Sequence, residues 1–403
     1  MGGDANHVAV FNFGQNGTFN GSVTAQGNTD ANGIGDFYYT VPTDALALCA
    51  ANLPEPTIGP NSATLTSEVF EPILYTGNGT AIGSGGKTIS SLAFQPDFTW
   101  IKNRDAADNH MLFDAVRGAT KYLESDTADA EATDTESLTS FTATGFTLGN
   151  NVAVNTNTED YVAWNWKANG AGAANEDGSI NTTKTSVNTD AGVSILQYTG
   201  NATSGATVGH GLGAVPKFAI FKMLSQNAAA GYDFYVYHAS LGQSLKLKLN
   251  TNGAASASTD WPTVATTSLF YLGGGGGTNG SGLVYAAYLF AEVEGFSSIG
   301  SYTGNGNADG PFVYCGFSPA YVMVKSVSTA HSWWITDTVR NTSNPIGDYL
   351  YANLADAEYN AVQMDALSNG FKLRTTGTTL NSSGNEFIYM AFAEQPFKYS
   401  NAR

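Results

Sequence analysis

Two aspartate–arginine steps carry the clearest polar chemistry in the sequence: Asp114-Ala115-Val116-Arg117 and Asp337-Thr338-Val339-Arg340. A carboxylate and a guanidinium three residues apart can pair, hold a loop or grip a ligand. On a strand they would face opposite sides, so pairing needs a bend or turn between them. We expect a structural pair, with ligand gripping as the alternative. The histidines His7, His110, His210, His238 and His331 show no metal-ligand spacing, and the two cysteines make no zinc site. His110 and His331 precede the two aspartates at similar places and are read as strand-edge residues. The run Glu124, Asp126, Asp129, Glu131, Asp134, Glu136 clusters oxygens that would suit calcium. It lacks the alternating register of a known loop and is read as a solvated face. Two acids roughly 5–10 Å apart would suffice for glycoside hydrolysis. No pattern selects two from the 34 present. The expectation is therefore no catalytic residue, no metal and no cofactor.

Two further features invite a binding role. Adjacent Trp333 and Trp334 would point to opposite faces of a strand, so one of them, like Trp261, would be free to stack on a sugar ring. The run Gly273 to Gly277 has neither the Lys-Ser/Thr nor the helix opening of a phosphate cradle. It is read as a hairpin connection or exposed tip.

The elements that must position these residues follow from composition and repetition. The chain has 403 residues, a formal charge of −17, 12% aromatic residues and 46 glycines. No apolar run approaches the roughly 18–20 residues that span a bilayer as a helix, and the few Lys and Arg are scattered. Membrane insertion and nucleic-acid binding are not expected. Cys49 and Cys315 sit in apolar neighbourhoods and are read as free, buried thiols. Met1-Gly2-Gly3-Asp4 has no basic-then-apolar pattern of a secretory signal.

Three segments open alike: Tyr75-Thr76-Gly77-Asn78, Tyr198-Thr199-Gly200-Asn201 and Tyr302-Thr303-Gly304-Asn305. Each is followed by a proline with a lysine six residues later, at Pro96/Lys102, Pro216/Lys222 and Pro319/Lys325. Copies one and three also share Ala128-Asp129-Ala130-Glu131 and Ala355-Asp356-Ala357-Glu358. Each copy closes on an aromatic strand, at 161–166, 284–290 and 387–392. Short Val/Ile/aromatic runs bounded by Gly, Asn, Ser and Thr predict strands and turns. The strand before each lysine is apolar on both faces in copies two and three, which predicts a central position in its sheet. Segments 129–137 and 356–368 are read as a helical turn or two.

The fold class that follows is all-β: a string of antiparallel β-sandwich modules, three related repeats, after an N-terminal β-rich partial domain. The expected boundaries are 1–66, 67–190 with its linker, 191–295 and 296–403, with linkers at 55–67 and 170–190. The first segment is read as the tail of a longer polypeptide or as completing itself on a partner chain.

The Tyr-Thr-Gly-Asn-Gly opening, the Gln95-Pro96-Asp97-Phe98 strand, the Asp-x-x-Arg step, Gly145-Phe146-Thr147-Leu148 and Tyr161-Val162-Ala163-Trp164-Asn165-Trp166 resemble a module repeated in virion proteins of marine tailed bacteriophages. The N-terminal Phe11-Asn12-Phe13-Gly14 and Gly35-Asp36-Phe37-Tyr38-Tyr39 are similar to the end of a SPRY-like, concanavalin-type sandwich that precedes such modules. The resemblance implies a tail-fibre or receptor-binding component at the particle surface. It would mediate host attachment, with other virion proteins and a host-surface glycan as partners and a homotrimer as its assembly. The rivals are a capsid-decorating or head-fibre protein without a receptor, and a polysaccharide depolymerase.

Overall fold

The computed structural model describes residues 11–52, 57–59, 62–225 and 233–395. It is all-β, and residues 57–403 form one compact unit while residues 1–56 form another. His7 and the Met1–Asp4 segment lie outside the described residues.

The three copies share one strand order. In the first module β1 (Phe70–Thr76), β2 (Phe98–Asn103), β3 (Met111–Asp114) and β4 (Asp160–Trp166) pair antiparallel as β1-β4-β2-β3. The second repeats this with β5 (Val193–Thr199), β6 (Pro216–Met223), β7 (Tyr235–His238) and β8 (Val284–Ala291), ordered β5-β8-β6-β7. The third has β9 (Ser297–Thr303), β10 (Ser318–Ser326), β11 (Trp334–Asp337) and β12 (Glu386–Gln395), ordered β9-β12-β10-β11. The lysine-bearing strands β2, β6 and β10 are flanked on both sides, as the two apolar faces of β6 and β10 predict.

A smaller sheet covers one face in the first two modules: Lys87–Ile89, Leu138–Thr142 and Gly145–Leu148 in the first, Ala206–Gly209 with Leu269–Leu272 in the second. In the third the same sheet runs on through Tyr359–Leu367 and Gly370–Leu373 to Phe312–Tyr314.

Side-chain alternation assigns each face a core. Ile101, Met111, Phe113, Tyr161 and Ala163 pack under the first module's own small sheet. Phe98, Trp100, Leu112, Val162, Trp164 and Trp166 point the other way, into a core shared with Phe218, Tyr288, Phe290, Tyr321 and Phe392 of the other modules. The three sandwich modules therefore share a core on which the copies converge. Each large sheet is buried on both faces, which is why its strands read as continuous apolar runs. At the centre Trp166, Phe290 and Phe392, equivalent residues of β4, β8 and β12, form a triangle with ring centroids 6.2, 5.9 and 5.6 Å apart. That triangle marks a pseudo-threefold axis within one chain.

Other expectations are also corrected. Residues 170–190 are not a linker, because Ala173–Asn175 and Thr182–Asn188 extend the second module's sheet beyond β5. In the expected linker 55–67, Ile58 is fully buried in the shared core. The helical turn at 356–368 is a strand, since Met364 and Ala366 alternate inward.

The N-terminal unit is not β-rich among its described residues, where one isolated bridge joins Asn28 and Phe37. It is organised by turns around Asp30, whose carboxylate accepts from the amides of Asn32, Ile34 and Ala47 and from Asn52 Nδ2. Burial alone would raise that carboxyl, but these donors outweigh it and hold it at about 2. Phe11, Phe13, Tyr39, Leu46 and Leu48 stay exposed because no sheet face covers them. Cys49 is exposed with them, against expectation; Cys315 is half-buried, and burial pushes its thiol up to about 12.

Candidate functional site

The Asp-x-x-Arg pairs form as the sequence suggests, by a turn at the end of β3 and of β11. Asp114 Oδ1 accepts from the Arg117 amide at 2.7 Å and Oδ2 from its Nε at 2.5 Å. Asp337 repeats this toward Arg340 at 2.9 and 2.7 Å. The shared glutamates complete each site, Glu131 lying 3.5 Å from Arg117 Nη1 and Glu358 2.8 Å from Arg340 Nη1. Burial works against the Arg117 charge, but the Asp114 carboxylate outweighs it and raises the pKa. Both pairs are fully buried at the side chain, so they are closed to a soluble ligand.

Their third partners come from other modules. Tyr288 of β8 donates its phenol to Asp114 Oδ2 at 2.7 Å, and Trp164 of β4 donates Nε1 to Asp337 Oδ2 at 2.9 Å. Ladder registers place His238 of the second module, opposite Phe218, where Asp114 stands opposite Phe98 and Asp337 opposite Tyr321. His238 Nε2 lies 3.3 Å from the carbonyl of Tyr389 on β12. So module one receives from two, two meets three, and three receives from one.

A second ring of bonds follows the same order. The amides of Glu131, Ala255 and Glu358 donate to the carbonyls of Leu224, Val327 and Arg104, each acceptor two residues after a repeated lysine. Lys102, Lys222 and Lys325 are themselves buried, and burial lowers each ammonium to about 8. Lys222 Nζ donates to Ala128 of the first module and Lys325 Nζ to Asn252 of the second. Arg104 and Glu358 form an ion pair across a joint at 2.7 Å. The polar residues that the sequence singles out are thus tie-points of a closed ring.

The tryptophan expectation is corrected. Trp261, Trp333 and Trp334 are each 1% exposed. Trp261 fills the second module's own core, and Trp333 donates Nε1 to Lys248 across a joint. The adjacent indoles, Trp333 just before β11 and Trp334 at its start, are both buried because that sheet is covered on each side. His110 is no edge residue either: it is fully buried and accepts from Trp100 Nε1 at 2.8 Å. The acidic run is partly engaged, with Glu131 on Arg117 and Lys121, and Glu136 on the Ile82 amide. Among the described residues no group of three or more His, Cys, Asp or Glu is placed to hold a metal.

Of the two readings of the glycine run, the hairpin is corrected, since the run crosses from the small-sheet strand Leu269–Leu272 to β8 of the large sheet, while Gly274 and Gly275 are exposed. Gly275, Gly276 and Gly277 of the run line a cleft of about 390 Å³ in the second module, together with Tyr235, Lys246, Ser258, Thr259 and Asp260. No motif selected those five residues. The available signal was a run of glycines in one copy of three.

No curated protein and no solved structure was found to match this chain. A family described as a domain of unknown function (DUF7483) matches residues 65–396, the stretch that holds all three modules, and the chain belongs to that family.

Proposed function

We propose that the chain is a contact protein of a bacteriophage virion, of the tail-fibre or receptor-binding type. It meets other virion proteins through its body and a host-surface glycan through exposed loops. The supporting observation is the closed ring: the repeated polar residues are spent on joints, while the equivalent loops at Asn78–Gly79, Asn201–Gly205 and Asn305–Asp309 face solvent. Several shallow loop contacts on a rigid body bind by avidity, with no need for one deep pocket. The internal threefold arrangement also favours a second reading, decoration of a capsid at a threefold-related site, because such a body can offer three equivalent contacts to a symmetric partner.

Antibody labelling of intact particles, paired with adsorption of the purified chain to host cells, tests both. Label on the tail with adsorption supports attachment. Label on the head without adsorption supports decoration. Turnover of host polysaccharide, abolished by one carboxylate substitution, would overturn both.

A further inference from the structure

We propose that the cleft beneath Gly273–Gly277 binds a neutral sugar residue, with Asp260 and the glycine amides reading its hydroxyl groups. The inference rests on the attachment reading and assigns it a site.

The cleft exists because one module has lost side chains. Asn155, Asn279 and Asn381 are equivalent, each donating its side-chain amide to Asn78, Asn201 or Asn305 at the start of its own module. Ahead of Asn155 and Asn381 the chain makes a helical turn, Val152–Asn155 and Thr378–Asn381, which buries Val154 and Leu380. At the matching place the second module has Gly276, Gly277 and Thr278, and Gly275 stands where the other modules have Asn151 and Gly377, its carbonyl accepting from the Thr278 and Asn279 amides. Each glycine costs roughly 0.5–1 kcal/mol of backbone entropy relative to alanine in regular structure, so a run of five needs a reason. Packing explains two of them: a Cβ on Gly273 would sit 2.3 Å from the Thr259 carbonyl, and one on Gly277 2.5 Å from the Tyr235 ring. Gly275 is not explained this way. A Cβ there would lie 3.6 Å from Asp260 Oδ1, an ordinary contact. What its hydrogen preserves is open space beside a carboxylate.

The chemistry facing that space suits hydroxyls. Asp260 is 5% exposed; its Oδ2 accepts from Lys246 Nζ at 2.6 Å and from Ser258 Oγ at 2.9 Å. Among the described residues no donor reaches Oδ1, the oxygen turned to the glycine loop, and the amides of Gly275 to Gly277, which line the cleft, have no internal acceptor. Lys246 is held over the Tyr235 ring, Nζ to centroid 4.2 Å, so its charge is fixed in the wall. The cleft therefore offers one charged acceptor and several donors. A hydroxyl both donates and accepts, and neighbouring hydroxyls on a compact ring describe a sugar. The volume, about 390 Å³, is at the small end of the roughly 300–1,000 Å³ of ligand pockets. Lys246 already neutralises Asp260, and the chain carries −17, so an acidic sugar would be repelled and a neutral one accepted.

Saturation-transfer NMR on the full chain, with glucose, galactose, mannose and N-acetylglucosamine against glucuronic acid, reads this out. Transfer to at least one neutral sugar, none to glucuronic acid, and a tenfold or greater loss in Gly275→Leu are expected. Gly275→Leu fills the cleft without touching a bond of the fold, and an unchanged urea midpoint confirms that. Asp260→Asn should weaken binding similarly. The proposal is overturned if no neutral sugar shows transfer, or if Gly275→Leu binds as well as the parent. Adsorption to host cells that persists in Gly275→Leu, with no sugar bound by the parent, would sink this cleft and leave the attachment reading standing. Sugar binding without any adsorption would do the reverse.

Discussion

The phenol of Tyr288 and the carboxylate of Asp114 lie 174 residues apart in sequence and 2.7 Å apart in space, joining the second module to the first. Asp114 holds the buried Arg117 with its remaining lone pairs. Removing the Tyr288 hydroxyl therefore costs one hydrogen bond to a charged group in a dry joint, about 1.5–3 kcal/mol. Tyr288→Phe should lower the unfolding free energy by that amount, read as a lower urea midpoint with an unchanged slope. Asp114→Ala should cost about 3–5 kcal/mol, because it leaves the Arg117 charge buried and uncompensated. A Tyr288→Phe variant as stable as the parent would mean that the joint gains nothing from this bond.

The repeat was legible because local geometry fixes its residues. A Cβ on Gly77, Gly200 or Gly304 would lie 2.0, 2.4 or 2.4 Å from a backbone oxygen, so only glycine fits there. The asparagine that follows holds its loop by accepting the side-chain amide of Asn155, Asn279 or Asn381. Alternation likewise gave the two-faced central strands. The ring was not legible, since each tie joins residues from different copies and no periodicity links Trp164 to Asp337. For the same reason Lys222 and Lys325 read as repeated but not as buried: each donates to a carbonyl of a neighbouring module, Ala128 and Asn252. The tryptophans misled because one buried face per strand was assumed where there are two.

His238 stands where the other modules have aspartate, and Leu241 three residues on stands where they have arginine. Both members of the pair thus differ in the second module. Substituting His238→Asp alone would bury a carboxylate with no guanidinium and cost about 3–5 kcal/mol. Adding Leu241→Arg should recover part of that loss, a coupling of about 1–3 kcal/mol in a double-mutant cycle. Additive effects of the two substitutions would show that the sites are not equivalent.

Acid should loosen the same joint. Burial holds His238 at about 4, below the 6.5 of the unfolded chain. The unfolded state therefore binds the extra proton first, and stability falls as pH drops from 6.5 toward 4. His238→Gln, which cannot take up that proton, should show a shallower loss over this window. The readout is the urea midpoint against pH, and identical slopes for parent and variant would count against the assignment.

Alkaline pH should act in the opposite direction at the lysines. Burial lowers Lys102, Lys222 and Lys325 from 10.5 to about 8, partly offset for Lys102 by Asp108, Asp126, Asp356 and Glu159 and for Lys222 by Asp233 and Asp129. Between pH 8 and 10 the unfolded chain holds protons that the folded chain has released, so stability rises with pH, by up to about 1–3 kcal/mol per lysine. Above pH 10 the sign reverses: unfolded tyrosines ionise, whereas burial keeps Tyr288 and Tyr321 protonated. Chemical denaturation at pH 7.5, 8.5 and 9.5 should therefore give a rising midpoint. Lys325→Met, which removes one of three titrating ammonium groups, should take away about a third of that rise. A midpoint that falls steadily from pH 7.5 to 9.5 in the parent would mean that these lysines hold their protons through the joint, with carbonyl contacts that outweigh burial.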